Sequence, residues 1–141
     1  MKTRIFSLLR YNKFAFGDQV VSQFIIFECK FLFSLIIFYF HKSESSQDRF
    51  HTHAFNAFSI KLFGQYSEYI LDDESTGEFH IEERTQTFKY FPRDSYHKIG
   101  NSNGCCTFLI TGPWSNRWKE HVNGKIVTYN WGRRNNYIKM V

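Results

Sequence analysis

Apolar residues along this chain come in short runs and alternating stretches rather than in helical stripes. Residues 20–28 and 31–41 read as two strands. The second is apolar without a break, which predicts a strand buried on both faces. Further strands are predicted at 55–63, closed by Gly64, at 66–71, within 78–90 as one or two strands, at 105–111 and at 125–131. The segments between them carry breakers: a polar loop at 42–48, a turn at 72–77, a glycine-rich turn at 100–104, then Gly112-Pro113 and Asn123-Gly124. The first 18 residues are basic and aromatic and end on Gly17-Asp18, and a short helix is expected at 115–121. Turn signals recur about every 8–12 residues, which predicts a sandwich, barrel or jelly roll. No linker or repeat interrupts the pattern, so residues 1–141 are expected to form one all-β domain.

Composition agrees with this picture. Hydrophobic residues make up 43% of the chain, enough for a core, and aromatics reach 20%, with 17 Phe and 8 Tyr; strands favour such side chains. The formal charge of +5 is spread out, and its one local cluster is Arg133-Arg134 with Lys139. A solvated basic surface therefore outweighs a nucleic-acid patch. Cys29, Cys105 and Cys106 are odd in number and two are adjacent, a poor disulfide framework that points to reduced thiols and a cytoplasmic protein. The apolar stretch 20–40 contains Gln23, Glu28 and Lys30. Its clean part is shorter than the ~20 residues a spanning helix needs, so no membrane segment is expected.

Chemistry concentrates at histidine. On a strand, residues two apart face the same way, so His51-Thr52-His53 presents two imidazoles side by side. A third, His97, ends the segment Pro92-Arg93-Asp94-Ser95-Tyr96-His97. Three imidazoles from neighbouring strands make a ligand face for a divalent transition metal, most simply Fe(II), with Mn, Zn or Ni as alternatives. Lys61, Ser59 and Ala57 share the parity of the histidine pair. An unbulged strand would therefore point Lys61 into the metal cavity to bind substrate, and a bulge near Asn56 would reverse this. Tyr66 and Glu68 share a strand face, Glu68 as ligand or general base and Tyr66 as hydrogen-bond donor to substrate. His41, His80 and His121 lack partners at ligand spacing and read as structural, and Trp114, Trp118 and Trp131 as packing residues. Interleaved aromatic and basic residues at 88–93 raise single-stranded nucleic acid as a minor possibility. Neither a phosphate-binding glycine loop nor a Gly-x-Ser-x-Gly elbow is present.

These motifs resemble those of the cupin superfamily: His-x-His closed by a glycine, here His51, His53 and Gly64, then Pro-x-Gly-x-x-His, here Pro92 to His97 with Asp94 in the glycine's place. Asp tolerates left-handed backbone, so the turn is expected to survive. The segments Gly64-Gln65-Tyr66-Ser67-Glu68, Thr107-Phe108-Leu109-Ile110 and Thr111-Gly112-Pro113-Trp114 are similar to small single-domain cupins of phage and bacterial genomes, over about residues 31–118. The resemblance implies a double-stranded β-helix, or jelly roll, with a central metal, and a homodimer. Cupins usually add a Glu ligand after the second His; here the region reads Ala54-Phe55-Asn56-Ala57-Phe58. That implies a three-His site, as in the thiol dioxygenases of the superfamily, or one that recruits Glu68. The function implied is a metal-dependent oxygenase or isomerase acting on a small polar molecule. The alternative is a non-enzymatic cupin that binds a small molecule or a host or phage protein.

Overall fold

A computed structural model describes residues 6–130 and 133–140, with side chains described as far as Tyr129. Thirteen strands and no helix occur among the described residues. A six-stranded sheet has the order β1-β2-β3-β10-β5-β8: β1 (Phe6–Phe16), β2 (Gln19–Cys29), β3 (Ser34–Phe40), β10 (Cys105–Thr111), β5 (Ala57–Phe63) and β8 (Phe88–Phe91). A seven-stranded sheet has the order β13-β12-β11-β4-β9-β6-β7: β13 (Arg133–Met140), β12 (Lys125–Asn130), β11 (Arg117–Val122), β4 (Phe50–His51), β9 (His97–Ser102), β6 (Tyr66–Leu71) and β7 (Phe79–Glu83). All pairings are antiparallel. The architecture is an all-β jelly roll with its core and a cavity between the sheets.

Hydrophobic burial follows the pleat. Ile25 of β2, Ile36 of β3, Ala57 of β5 and Leu109 of β10 turn inward on one sheet and meet Ala54 and Phe55. A second cluster joins Tyr66, Ile99 and Cys105. The apolar stretch 20–40 is the β2–β3 hairpin, and among the described residues no helix is long and apolar enough to cross a membrane. The three thiols are free, and burial pushes Cys105 up to about 11 and raises Cys106.

Three local expectations are corrected, and the two-strand alternative for 78–90 holds. The run 31–41 is not one doubly buried strand. Phe31, Leu32 and Phe33 are exposed in the turn, which closes by hydrogen bonds between Cys29 and Phe33 and between Leu32 and Cys29. Residues 115–121 are not helical. Asn123 and Gly124, with φ of 49° and 71°, form a two-residue hairpin turn that pairs β11 with β12, and β11's other edge is taken by β4. The segment 100–104 is a turn only at its end, because β9 continues through Ser102 opposite Tyr66. Residues 78–90 divide into β7 and β8, which belong to different sheets. Trp131 lies outside the described residues, as do the side chains of Arg133, Arg134 and Lys139.

Gly64 closes β5 with a φ of +84°, and a side chain there would run into the Gly104 carbonyl and the Cys105 backbone. Gly77 has a similar φ of +76° but open space around it. Both glycines avoid the left-handed penalty of about 1–2 kcal/mol. Gly64→Ala is therefore expected to cost at least about 1 kcal/mol more than Gly77→Ala in urea unfolding, since only the first adds a backbone collision. Equal losses would show that the Gly64 approach relaxes freely.

Candidate metal centre

β4 is two residues long, yet both its edges are paired. His51 lies opposite Glu120 of β11 on one side and opposite His97 of β9 on the other. This register sets two imidazoles side by side, with ring centroids 4.9 Å apart. The strand ends at His51, so His53 sits in the following connection rather than on a strand. That connection is held by Thr52 N–H donating to the Lys119 carbonyl (2.8 Å) and His53 N–H donating to the Arg93 carbonyl (3.1 Å). The second bond ties the histidine pair to the turn at 92–95, where Ser95 N–H bonds the Pro92 carbonyl. Among the described non-glycine residues, positive φ occurs at Leu9 and Asn123. Asp94 therefore replaces the motif's glycine without left-handed backbone.

His51, His53 and His97 each offer a nitrogen within 4.8 Å of the others. His53 Nε2 and His97 Nε2 lie 2.7 Å apart. Two ring nitrogens at that distance need a proton or a cation between their lone pairs. His51 Nδ1 is buried with no hydrogen-bond partner. Burial, reinforced by the nearby His97, lowers the His51 imidazole to about 3 and holds His53 well below the usual range. These imidazoles are thus neutral and ready to ligate. The donor set fits a divalent transition metal: three imidazoles, those of His51 and His53 held neutral by burial, with an orphaned nitrogen and no thiolate among them.

Glu68 of β6 lies opposite Ile99 of β9, diagonal to His97 on the same face. His97 Nδ1 donates to Glu68 Oε1 (2.8 Å), and Lys89 Nζ of β8 donates to Glu68 Oε2 (2.8 Å). Burial would raise the Glu68 carboxyl, but the hydrogen bonds and charges of His97 and Lys89 outweigh it and hold it below the usual range. An ionised carboxylate accepts only, so it fixes His97 with hydrogen on Nδ1 and a lone pair on Nε2. Glu68 therefore stands behind His97 rather than beside the ligand nitrogens.

Aromatic rings pack on each imidazole: Phe16 on His51 (5.5 Å between centroids, 6° between planes), Phe55 on His53 (5.3 Å, 22°) and Phe91 on His97 (5.3 Å, 45°). Sequence reasoning missed all three. Phe55 was within reach of the parity argument, being two residues beyond His53, whereas Phe16 is brought in only by the β1–β2 hairpin.

The histidines open onto a cavity of about 300 Å³ between the sheets. Ala57 and Ser59 line it, as their parity predicts, while Phe58 points outward. Lys61 is not among the lining residues. The irregularity in β5 falls at Leu62, opposite Cys106 and Thr107, and Lys61 Nζ donates to the Arg84 carbonyl and to Gln65 Oε1 (3.0 Å each). Tyr66 does line the cavity, and its hydroxyl accepts from Arg84 (2.8 Å). Burial raises the Tyr66 phenol, which therefore stays protonated. Arg84 is 1% exposed and spends its donors on Ser59, Tyr66, Gln86 and Thr87 oxygens, with no carboxylate partner. Trp114 and Trp118 pack on the core cluster and also line the cavity.

The remaining candidates lie elsewhere. His41 bonds Ser22, His80 bonds Asp72 and Glu82, and His121 bonds the Glu74 carbonyl. In the segment 88–93, Phe88 and Tyr90 face solvent, while Lys89 and Phe91 turn inward to Glu68 and His97.

This fold and site define the class: a cupin-type jelly roll with a histidine cluster at its centre. No family model and no curated protein matches the chain. Solved structures do. An oxalate decarboxylase superposes with a TM-score of 0.51 at 15% identity, over 77% of this chain and 31% of that one. A variant of the Bacillus subtilis oxalate decarboxylase gives the same TM-score, identity and coverage. A candidate sugar phosphate isomerase from Acidithiobacillus ferrooxidans gives a TM-score of 0.50 at 14% identity, over 77% of this chain and 67% of that one. The chain spans about a third of the length of the oxalate decarboxylases it matches. At this identity the likeness establishes the fold.

Arg84→Met would strip donors from several buried oxygens at once. It is expected to lower unfolding free energy by about 3 kcal/mol or more in urea titration. A loss under about 1 kcal/mol would mean that the buried guanidinium is not a structural pin.

Proposed function

We propose that this protein binds a divalent transition metal through His51, His53 and His97 and works as a small oxygenase, with its organic substrate held in the adjoining cavity. The observation that carries the reading is the convergence of three imidazoles, two buried and one half-buried and one of them oriented by Glu68, at the wall of a cavity between the sheets. Three protein ligands leave coordination positions for substrate. The names of the structural neighbours, a decarboxylase and a candidate isomerase, support small-molecule chemistry in this fold.

The metal, when bound, supplies Lewis acidity and, for iron, redox chemistry with dioxygen. The chain's own residues do the rest. Glu68 and Lys89 hold His97 in the ligating tautomer, and Phe16, Phe55 and Phe91 keep water from the imidazoles. Tyr66 stays protonated and serves as a hydrogen-bond donor to bound substrate. Oxygenation is favoured over isomerisation because no Asp, Glu or Lys among the described residues lines the cavity, so proton abstraction lacks a base. The same lack favours a second reading, a non-catalytic cupin that holds a ligand; turnover with dioxygen consumption separates the two.

Protein loaded anaerobically with Fe(II) is expected to hold about one equivalent by elemental analysis, and a His51→Ala, His97→Ala double variant close to none. Less than roughly a tenth of an equivalent in the parent protein would overturn the proposal. Glu68→Gln keeps an acceptor but loses the charge, and is expected to weaken metal affinity by about tenfold in competition with a chelator.

A further inference from the structure

The cavity carries a statement about its ligand. Its walls come from both sheets and include Phe14, Phe38, Phe40, Leu109, Trp114 and Trp118. No Asp, Glu, Lys or Arg among the described residues lines it. The nearby cations are committed elsewhere: Arg84 to five oxygens, Lys61 to Gln65 and Arg84, and Lys89 to Glu68 and Glu82. A ligand with an anionic tail would bury that charge against aromatic carbon with no partner, at a cost of several kcal/mol. In the metal-free cavity an oxalate-like dianion or a sugar phosphate is thus a poor fit, whatever the neighbours take.

The apolar wall is broken by the Gln23 and Gln47 amides and by the hydroxyls of Thr52, Ser59, Tyr66 and Thr107. Tyr66 accepts from Arg84 and so has its own hydrogen to give, with no acceptor for it among the described residues. Thr107 is 1% exposed, lines the cavity, and its Oγ1 has no hydrogen-bond partner. The Thr107 oxygen is covered, so the hydroxyl hydrogen available to a ligand in this part of the wall is that of Tyr66. The volume of about 300 Å³ is roughly twice that of an engineered cavity that accepts benzene. We infer that the site takes a neutral aromatic molecule of one or two rings, bearing a hydroxyl or carbonyl oxygen that meets the Tyr66 hydroxyl. This rests on the metal reading only for which end of the molecule faces the histidines. It differs from the small polar substrate that the sequence resemblance implies.

Calorimetric titration with 2-naphthol, oxalate and fructose 6-phosphate tests it, run on metal-free and on metal-loaded protein. We expect 2-naphthol to bind both forms saturably with a negative heat-capacity change, the mark of buried apolar surface. Tyr66→Phe should weaken its binding by about tenfold, and Ala57→Leu, which fills the cavity, should abolish it. A fold check by circular dichroism accompanies each variant, and Tyr66→Phe stands alone if Ala57→Leu does not fold. Oxalate or fructose 6-phosphate binding the metal-free protein more tightly than 2-naphthol would overturn the inference. So would 2-naphthol failing to bind, or binding equally well to folded Tyr66→Phe. Naphthol binding without any metal uptake would overturn the metal reading alone; metal uptake without naphthol binding would overturn only the ligand class.

Discussion

The pairing of His51 with His97 is the constraint on which the rest of the site depends. β4 is too short to be stable by itself. It exists because β11 and β9 grip it from both edges. That grip leaves no freedom of register, since a slip of one residue would send every side chain of the strand to the opposite face. The same register sets Glu68 diagonal to His97 and makes Ile70 its direct neighbour. Position and tautomer of the third imidazole therefore both follow from strand alignment, with no loop rearrangement required.

Charge is handled unevenly across the interior. Glu68, Lys89 and His97 form a compensated group behind the ligand nitrogens, where a buried carboxylate meets two partners. Arg84 is buried without a counter-charge and is satisfied by neutral oxygens and by the Tyr66 and Phe91 rings at 5.8 and 5.7 Å. Both groups stay off the cavity wall. The protein thus keeps its ionic interactions in the framework and presents aromatic carbon and a few hydroxyls to whatever enters.

Much of the fold was legible in the chain because turn chemistry punctuates it. Gly17-Asp18, residues 72–77, Gly112-Pro113 and Asn123-Gly124 all mark real ends. The three histidines were legible because a two-residue period and a proline turn leave traces in one dimension. What escaped depended on pairing. β11 looked helical because its hydrophobic period is weak, and only its neighbours make it a strand. Lys61 keeps the inward parity, opposite Thr107, but its amine is drawn aside to Gln65 Oε1 and the Arg84 carbonyl, which no strand period reveals. Glu68 was found, but whether it would ligate or orient rests on its diagonal offset from His97, which no linear spacing encodes.

Phe16 stacks on His51 from a hairpin that lies outside the stretch bearing the histidine motifs. With Phe14 it also forms part of the cavity wall. The segment that carries the three histidines is therefore smaller than the segment that encloses them. A shortened chain starting at residue 31 would keep all three imidazoles and lose the lid over one of them. The stretch marked by the motifs and the stretch that packs around the imidazoles have different boundaries here.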